Sequence, residues 1–190
     1  MTTTRRAQGA RTPYAALLRG INVGGKRVPM AELRTLLTGL GHQDVRTHLQ
    51  SGNAVFTSDR HDEDALAAEL AEALERHFGF PVDCLVRDHA YLAAVAEACP
   101  FPAAELEGRQ LHATFFSGPV TPERFATLDQ QAYLPEEFRL GDRVLYLYAP
   151  DGVGRSDLAA ALSRPGLVRP LVATSRNWNT VTRLVEMTRD

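Results

Sequence analysis

The chain has 190 residues, 44% of them hydrophobic and 23% charged, with a formal net charge of −2. That content can bury a core in one large domain or two small ones, and it excludes an intrinsically disordered chain. The small net charge argues against coating nucleic acid through bulk electrostatics, and no apolar run reaches membrane-spanning length.

Residues 1–12 carry Arg5, Arg6 and Arg11 and lack the apolar stretch of a secretory signal. They are expected to form a disordered tail on a cytoplasmic protein. Tyr14–Leu18 reads as a first strand, followed by a glycine-rich loop. Pro29 suits the first turn of a helix with Met30, Leu33, Leu36, Leu37 and Leu40 on one face. Val45, Thr47 and Leu49 at period two, a QSGN turn, and Val55–Thr57 predict a β-hairpin. Ser58 or Asp59 is placed to cap the next helix, which carries Leu66, Leu70, Leu74 and Phe78 and stops at Gly79. Pro81–Val86 is a fourth strand, and Asp88 caps a helix running to about Ala98.

The prolines at 100 and 102 mark residues 99–110 as a connection, after which the order of elements begins again. Leu111–Phe116 is a strand, and Thr121-Pro122 starts a short helix with Phe125 and Leu128. Phe138–Leu140 and Val144–Tyr148 flank Gly141-Asp142, which suits a type II′ hairpin. Ser156 caps a helix with Leu158 and Leu162. Leu171–Ala173 is a short strand, and Thr174 or Ser175 caps a last helix with Trp178, Val181, Leu184 and Val185. This order predicts an α+β fold of two ferredoxin-like (βαββαβ-type) halves, residues 13–98 and 111–190, each an antiparallel sheet with helices on one face. No residue-level repeat is visible between the halves.

One count stands out. Lys26 is the only lysine, Trp178 the only tryptophan, and asparagine occurs only at positions 22, 53, 177 and 179. All six fall in three segments: Arg19–Arg27 (RGINVGGKR), Gln50–Asn53 (QSGN) and Ser175–Thr180 (SRNWNT). Strand directions in a βαββαβ unit place the first two at the same end of the sheet. Together they nominate Arg19, Asn22, Gly24, Gly25, Lys26, Gln50, Ser51, Asn53, Arg176 and Asn177 as ligand-binding candidates. Glycines permit close backbone approach, and the cations and free helix-start N–H groups suit an anion. The ligand classes are an anionic small molecule, a nucleotide or a short nucleic acid, the last disfavoured by the net charge. Each segment has a structural alternative: a glycine turn, a hairpin turn, and a helix start with a tryptophan anchor holding the halves together. Gly20–Lys26 also matches G-x-x-x-x-G-K, but Arg27 replaces the hydroxyl a phosphate-binding loop needs, and Pro29 delays the helix.

No carboxylate lies in the three segments, Ser51 has no identifiable base, and the six histidines show no metal-ligand spacing. The sequence therefore favours a non-enzyme and implies neither metal nor cofactor. Cys84 and Cys99 match no redox or metal spacing and read as free thiols.

The stretches LLRGINVGGKRVPMAELR, LQSGNAVF and TSRNWNTVTRL closely resemble the bacterial family called domain of unknown function 1697. The resemblance implies two ferredoxin-like halves and a bacterial cytosolic origin, and brings with it no activity, substrate or catalytic residue.

Overall fold

A computed structural model describes residues 10–189; the expected tail falls mostly outside them. Where that tail is described, Thr12 already pairs with Ser58, so the first strand, β1, runs Thr12–Leu18. It is followed by α1 (Met30–Gly39), β2 (Gln43–His48), β3 (Asn53–Ser58), α2 (Glu63–Phe78), β4 (Cys84–Asp88) and α3 (His89–Glu97). Then come β5 (Leu111–Phe116), β6 (Glu137–Gly141), β7 (Val144–Tyr148), α4 (Asp157–Leu162), α5 (Pro165–Val168), β8 (Ala173–Asn177) and α6 (Trp178–Thr188).

The strands form two four-stranded antiparallel sheets, ordered β2-β3-β1-β4 and β6-β7-β5-β8. Both neighbours of β1 run against it, an arrangement incompatible with the parallel sheet of a phosphate-binding loop. The alternation of β1 separates two cores. Tyr14, Ala16 and Leu18 face α1 and α2 with Leu33, Leu37, Leu66, Leu70 and Leu74. Ala15 and Leu17 face the second sheet, across α3 and α6. A third core lies under α4 and α5, on the far side of the second sheet.

This layering corrects the expectation of helices on one face. Each sheet is covered on both, because α3 and α6 pack side by side between them. Six local expectations also shift. The fourth strand starts at Cys84 rather than Pro81 and runs on to Asp88. Asp62, not Ser58 or Asp59, caps α2. Leu49 leaves the period-two face and is 56% exposed, because it enters the hairpin turn with φ 59°. Pro122–Phe125 forms a 3-10 turn in place of a short α-helix. Gly141 stays in the ladder opposite Val144, so Asp142 and Arg143 make the turn and Arg143 carries the positive φ. Finally, β8 runs on to Asn177, and Asn177 rather than Thr174 or Ser175 caps α6.

A residue-level correspondence between the sheets appears once pairing is known. Ala15 pairs with Arg87 as Ala113 pairs with Arg176. The next residue in each case, Asp88 or Asn177, caps the helix that enters the space between the sheets. The spacing from β1 to β4 differs from that between β5 and β8, so no single offset aligns the pairs.

Candidate functional site

The glycine loop is built from its turn outward. Val23 and Lys26 form an isolated bridge, with Lys26 N–H donating to the Val23 carbonyl at 3.1 Å. Gly24 and Gly25 between them have φ of 57° and 85°, a pair of positive values that L side chains rarely adopt. The Asn22 N–H donates to the Lys26 carbonyl at 2.6 Å, so the loop's own backbone uses donors that an anion would need. Lys26 lies with its ammonium 5.9 Å from the Phe80 ring centroid.

The glycine loop and QSGN meet as the strand directions predict. Leu18 N–H donates to the Gly52 carbonyl at 2.8 Å. The Asn22 amide donates to the Gln50 carbonyl at 2.6 Å and to the Val28 carbonyl at 3.2 Å, and its oxygen accepts from Val28 N–H. Gly52, at φ 88°, lies so close to Leu18 and Ile21 that a Cβ would come within 2.9 Å of both side chains. Asn53 is fully buried; its amide donates to the His48 carbonyl and to Ser51 Oγ.

SRNWNT joins them from the other sheet. Arg176 is 7% exposed and points from β8 to the ends of β1 and β3. Its Nε donates to Asn53 Oδ1 at 2.6 Å, and Nη2 to the carbonyls of Leu18 (2.7 Å) and Gly52 (3.2 Å). Nη1 donates to Thr174 Oγ1 and the Ser175 carbonyl. No carboxylate takes part, and burial pulls its pKa down to about 10. Asn177 accepts from Thr180 N–H at the start of α6. Trp178 lies between the sheets against Tyr146, and Asn179 rests on Gly108, where any Cβ would overlap it.

The ten candidates therefore divide. Asn22, Asn53, Arg176 and Asn177 have their side chains engaged with protein groups, and Gly24 and Gly25 with a turn. Arg19, Lys26, Gln50 and Ser51 remain exposed. Arg19 pairs loosely with Asp83 at 3.6 Å, and Arg27, beside Lys26, is also exposed. A cavity of about 530 Å³ beside the loop is lined by Asn22, Arg27, Pro29 and Gln50.

The composition count missed a second arginine station. Arg87 is 1% exposed; its Nη2 donates to the Phe116 carbonyl at 2.6 Å and its Nη1 to the Val86 carbonyl and Glu63 Oε2. Arg87 and Arg143 both stack on the Tyr91 ring, at 5.4 and 4.7 Å from its centroid. The signal that would have found it is an arginine followed by Asp or Asn and then a helix, seen before α3 and again before α6. Among the described residues no group of three or more His, Cys, Asp or Glu is arranged for a metal, and no helix is long and apolar enough to cross a membrane. Cys84 and Cys99 are free, and burial pushes the Cys84 thiol up to about 12.

No curated protein matches the chain. Among solved structures it is similar to the conserved bacterial protein SP0830 from Streptococcus pneumoniae, with TM-score 0.74 and 25% identity over 95% of this chain and all of that one. The model of a protein family of unknown function, DUF1697, matches residues 11–146, which takes in the first two motifs and stops before SRNWNT. With most of its length so matched, and its remaining motif tied to the other two through Arg176, the chain belongs to the DUF1697 family of proteins of unknown function.

Proposed function

We propose that the protein is a non-enzymatic cytoplasmic module of two ferredoxin-like halves, residues 13–98 and 111–190 joined by 99–110, in which the three motifs lock the halves into one body. The observation that carries this reading is Arg176, a buried cation of one sheet with three of its five donors on Leu18, Gly52 and Asn53 of the other. The shared strand order and the matched Arg87 and Arg176 positions support the ferredoxin-like pairing. The test is Arg176→Met followed by native-state hydrogen exchange. Residues of β1 and β8 should gain exchange together, and urea unfolding should lose its single transition. A variant that unfolds in one step with native midpoint would sink the lock.

A second reading keeps an anion, such as a nucleotide, at the glycine loop. It is favoured by the exposed Arg19, Lys26 and Arg27 beside the cavity that Asn22 and Gln50 line. Titration with ADP at low and high salt tests it. Salt-sensitive shifts at Arg27 and Gln50 support the reading, and their absence at low salt removes it.

A further inference from the structure

The outer faces of the two sheets differ. On the first, Ala16, Ala54, Phe56 and Val86 are each at most 1% exposed in the core beneath α1 and α2. Pairing puts Thr114, Leu145, Leu147 and Ser175 at the corresponding places of the second sheet. Here the segment between β5 and β6 makes two 3-10 turns, Pro122–Phe125 and Gln130–Tyr133, where the first half has α1. A cavity of about 240 Å³ lies between the sheet and helices α4 and α5. Its wall is largely apolar, including Phe116, Leu145, Leu147 and Leu162. Two hydroxyl residues, Thr114 and Ser175, stand where the closed face has Ala16 and Val86, and Ser175 is exposed.

Among the described residues, the one charged residue on that wall comes from the other half: Arg19, immediately after β1. Its side chain is 52% exposed, and Asp83 stands at 3.6 Å, longer than the roughly 2.7–2.9 Å of a charge-assisted bond. The fork is thus available to a planar carboxylate, the group its paired donors fit best. We propose that this cavity binds a small amphipathic carboxylate, its hydrocarbon tail against Leu145 and Leu147 and its carboxylate on Arg19. A single guanidinium matches one negative charge. At roughly 30 Å³ per water-sized unit, the volume holds about eight non-hydrogen atoms. That size is a six-carbon acid, below the range of about 300–1,000 Å³ typical of drug-sized sites.

The probe is hexanoate, titrated into the full chain and followed by NMR, with butanoate, octanoate, 1-hexanol and inorganic phosphate alongside. Saturable shifts should centre on Thr114, Leu145 and Ser175. Affinity should rise about fourfold per methylene from butanoate to hexanoate, then level off at octanoate as the cavity fills. Arg19→Gln, on an exposed side chain, should weaken hexanoate about tenfold and leave 1-hexanol unchanged. Ser175→Leu should block both ligands, with melting curves confirming that each variant is folded. The proposal is overturned if hexanoate gives no saturable shifts at those residues, if Arg19→Gln binds it as well as the parent chain, or if 1-hexanol binds the parent as tightly. Displacement of hexanoate by equimolar inorganic phosphate would also overturn it, since the site would then select charge and not the amphiphile.

Discussion

Arg87 and Arg176 occupy matching positions on β4 and β8, and both donate to the last carbonyl of the other sheet's central strand. They are held by different chemistry. Arg87 has a carboxylate, Glu63, at 3.3 Å and an aromatic face, Tyr91, yet its Nε has no partner among the described residues. Arg176 has no carboxylate and five neutral acceptors, one for every donor. The difference teaches that full hydrogen-bond satisfaction can hold a buried guanidinium without a counter-ion, at the cost of a pKa lowered to about 10 by desolvation. Because that value and the unfolded one lie far above neutrality, Arg176 is charged in both states and adds no pH dependence near pH 7.

The largest expected effect breaks the Arg176 end. Arg176→Ala takes the Arg176 donors from the Leu18 carbonyl and Asn53 Oδ1 and leaves the Gly52 carbonyl with Leu18 N–H alone, and should cost about 3–5 kcal/mol in urea unfolding, the scale of an uncompensated buried polar partner. Arg176→Lys should recover little, since one ammonium cannot reach five acceptors on two strands. Arg87→Ala should cost less, because Glu63 is partly exposed and keeps Arg143 at 3.6 Å and the Asp88 N–H. If Arg87→Ala costs the more of the two, the comparison is inverted.

A core substitution supplies the scale. Leu70 is 1% exposed in the stripe with Leu66 and Leu74, and Leu70→Ala should cost about 3 kcal/mol. A melting temperature unchanged by it would mean the stripe does not face the sheet. Next come the two caps. Asp88→Ala and Asn177→Ala each remove one acceptor from a helix start and should each cost about 1 kcal/mol, with only the Asp88 effect shrinking in high salt.

The matching positions Tyr14 and His112 extend the comparison to pH. Tyr14 donates from its hydroxyl to the Arg60 carbonyl, whereas His112 Nδ1 is buried without a partner among the described residues, and burial pulls the ring down to about 4. A histidine whose folded pKa lies below the unfolded 6.5 favours folding while neutral. Stability is therefore full above about pH 6.5 and falls as pH drops toward 4, because the unfolded chain takes the proton first. Melting should fall between pH 7 and pH 5, and His112→Leu should flatten part of that fall; His42 and His48, also lowered by burial, act in the same direction. An unchanged pH profile in His112→Leu would remove this assignment. The smallest effect is expected for Lys26→Ala, an exposed loop cation, at under about 0.5 kcal/mol.

Much of the framework was legible because it is local. Leu111–Phe116 and Val144–Tyr148 were read to the residue, since alternation and glycine or proline punctuation leave little freedom there. The caps at Asp88 and Ser156 followed from side chains that bond three residues ahead. Leu49 departs from its period-two expectation because register depends on the partner strand, and only pairing of His48 with Asn53 puts Leu49 in the turn. The strand through Asn177 is not legible locally, because Asn177 is a poor strand former by itself; β5 supplies the ladder that keeps it extended.

The same division holds for the site. Counting rare residues in the sequence singled out three segments, and strand direction alone brought two of them to one end of a sheet. What the side chains do there was decided by the tertiary structure. Asn22 and Asn53 are amides in either setting, able to hold a ligand or a backbone, and Arg176 is a cation in either setting. Arg176 reaches the carbonyls of Leu18 and Gly52, far away in the chain, and Asn22 reaches that of Gln50; where those carbonyls lie is set by sheet register and by the helices packed between the sheets, not by any residue's own chemistry.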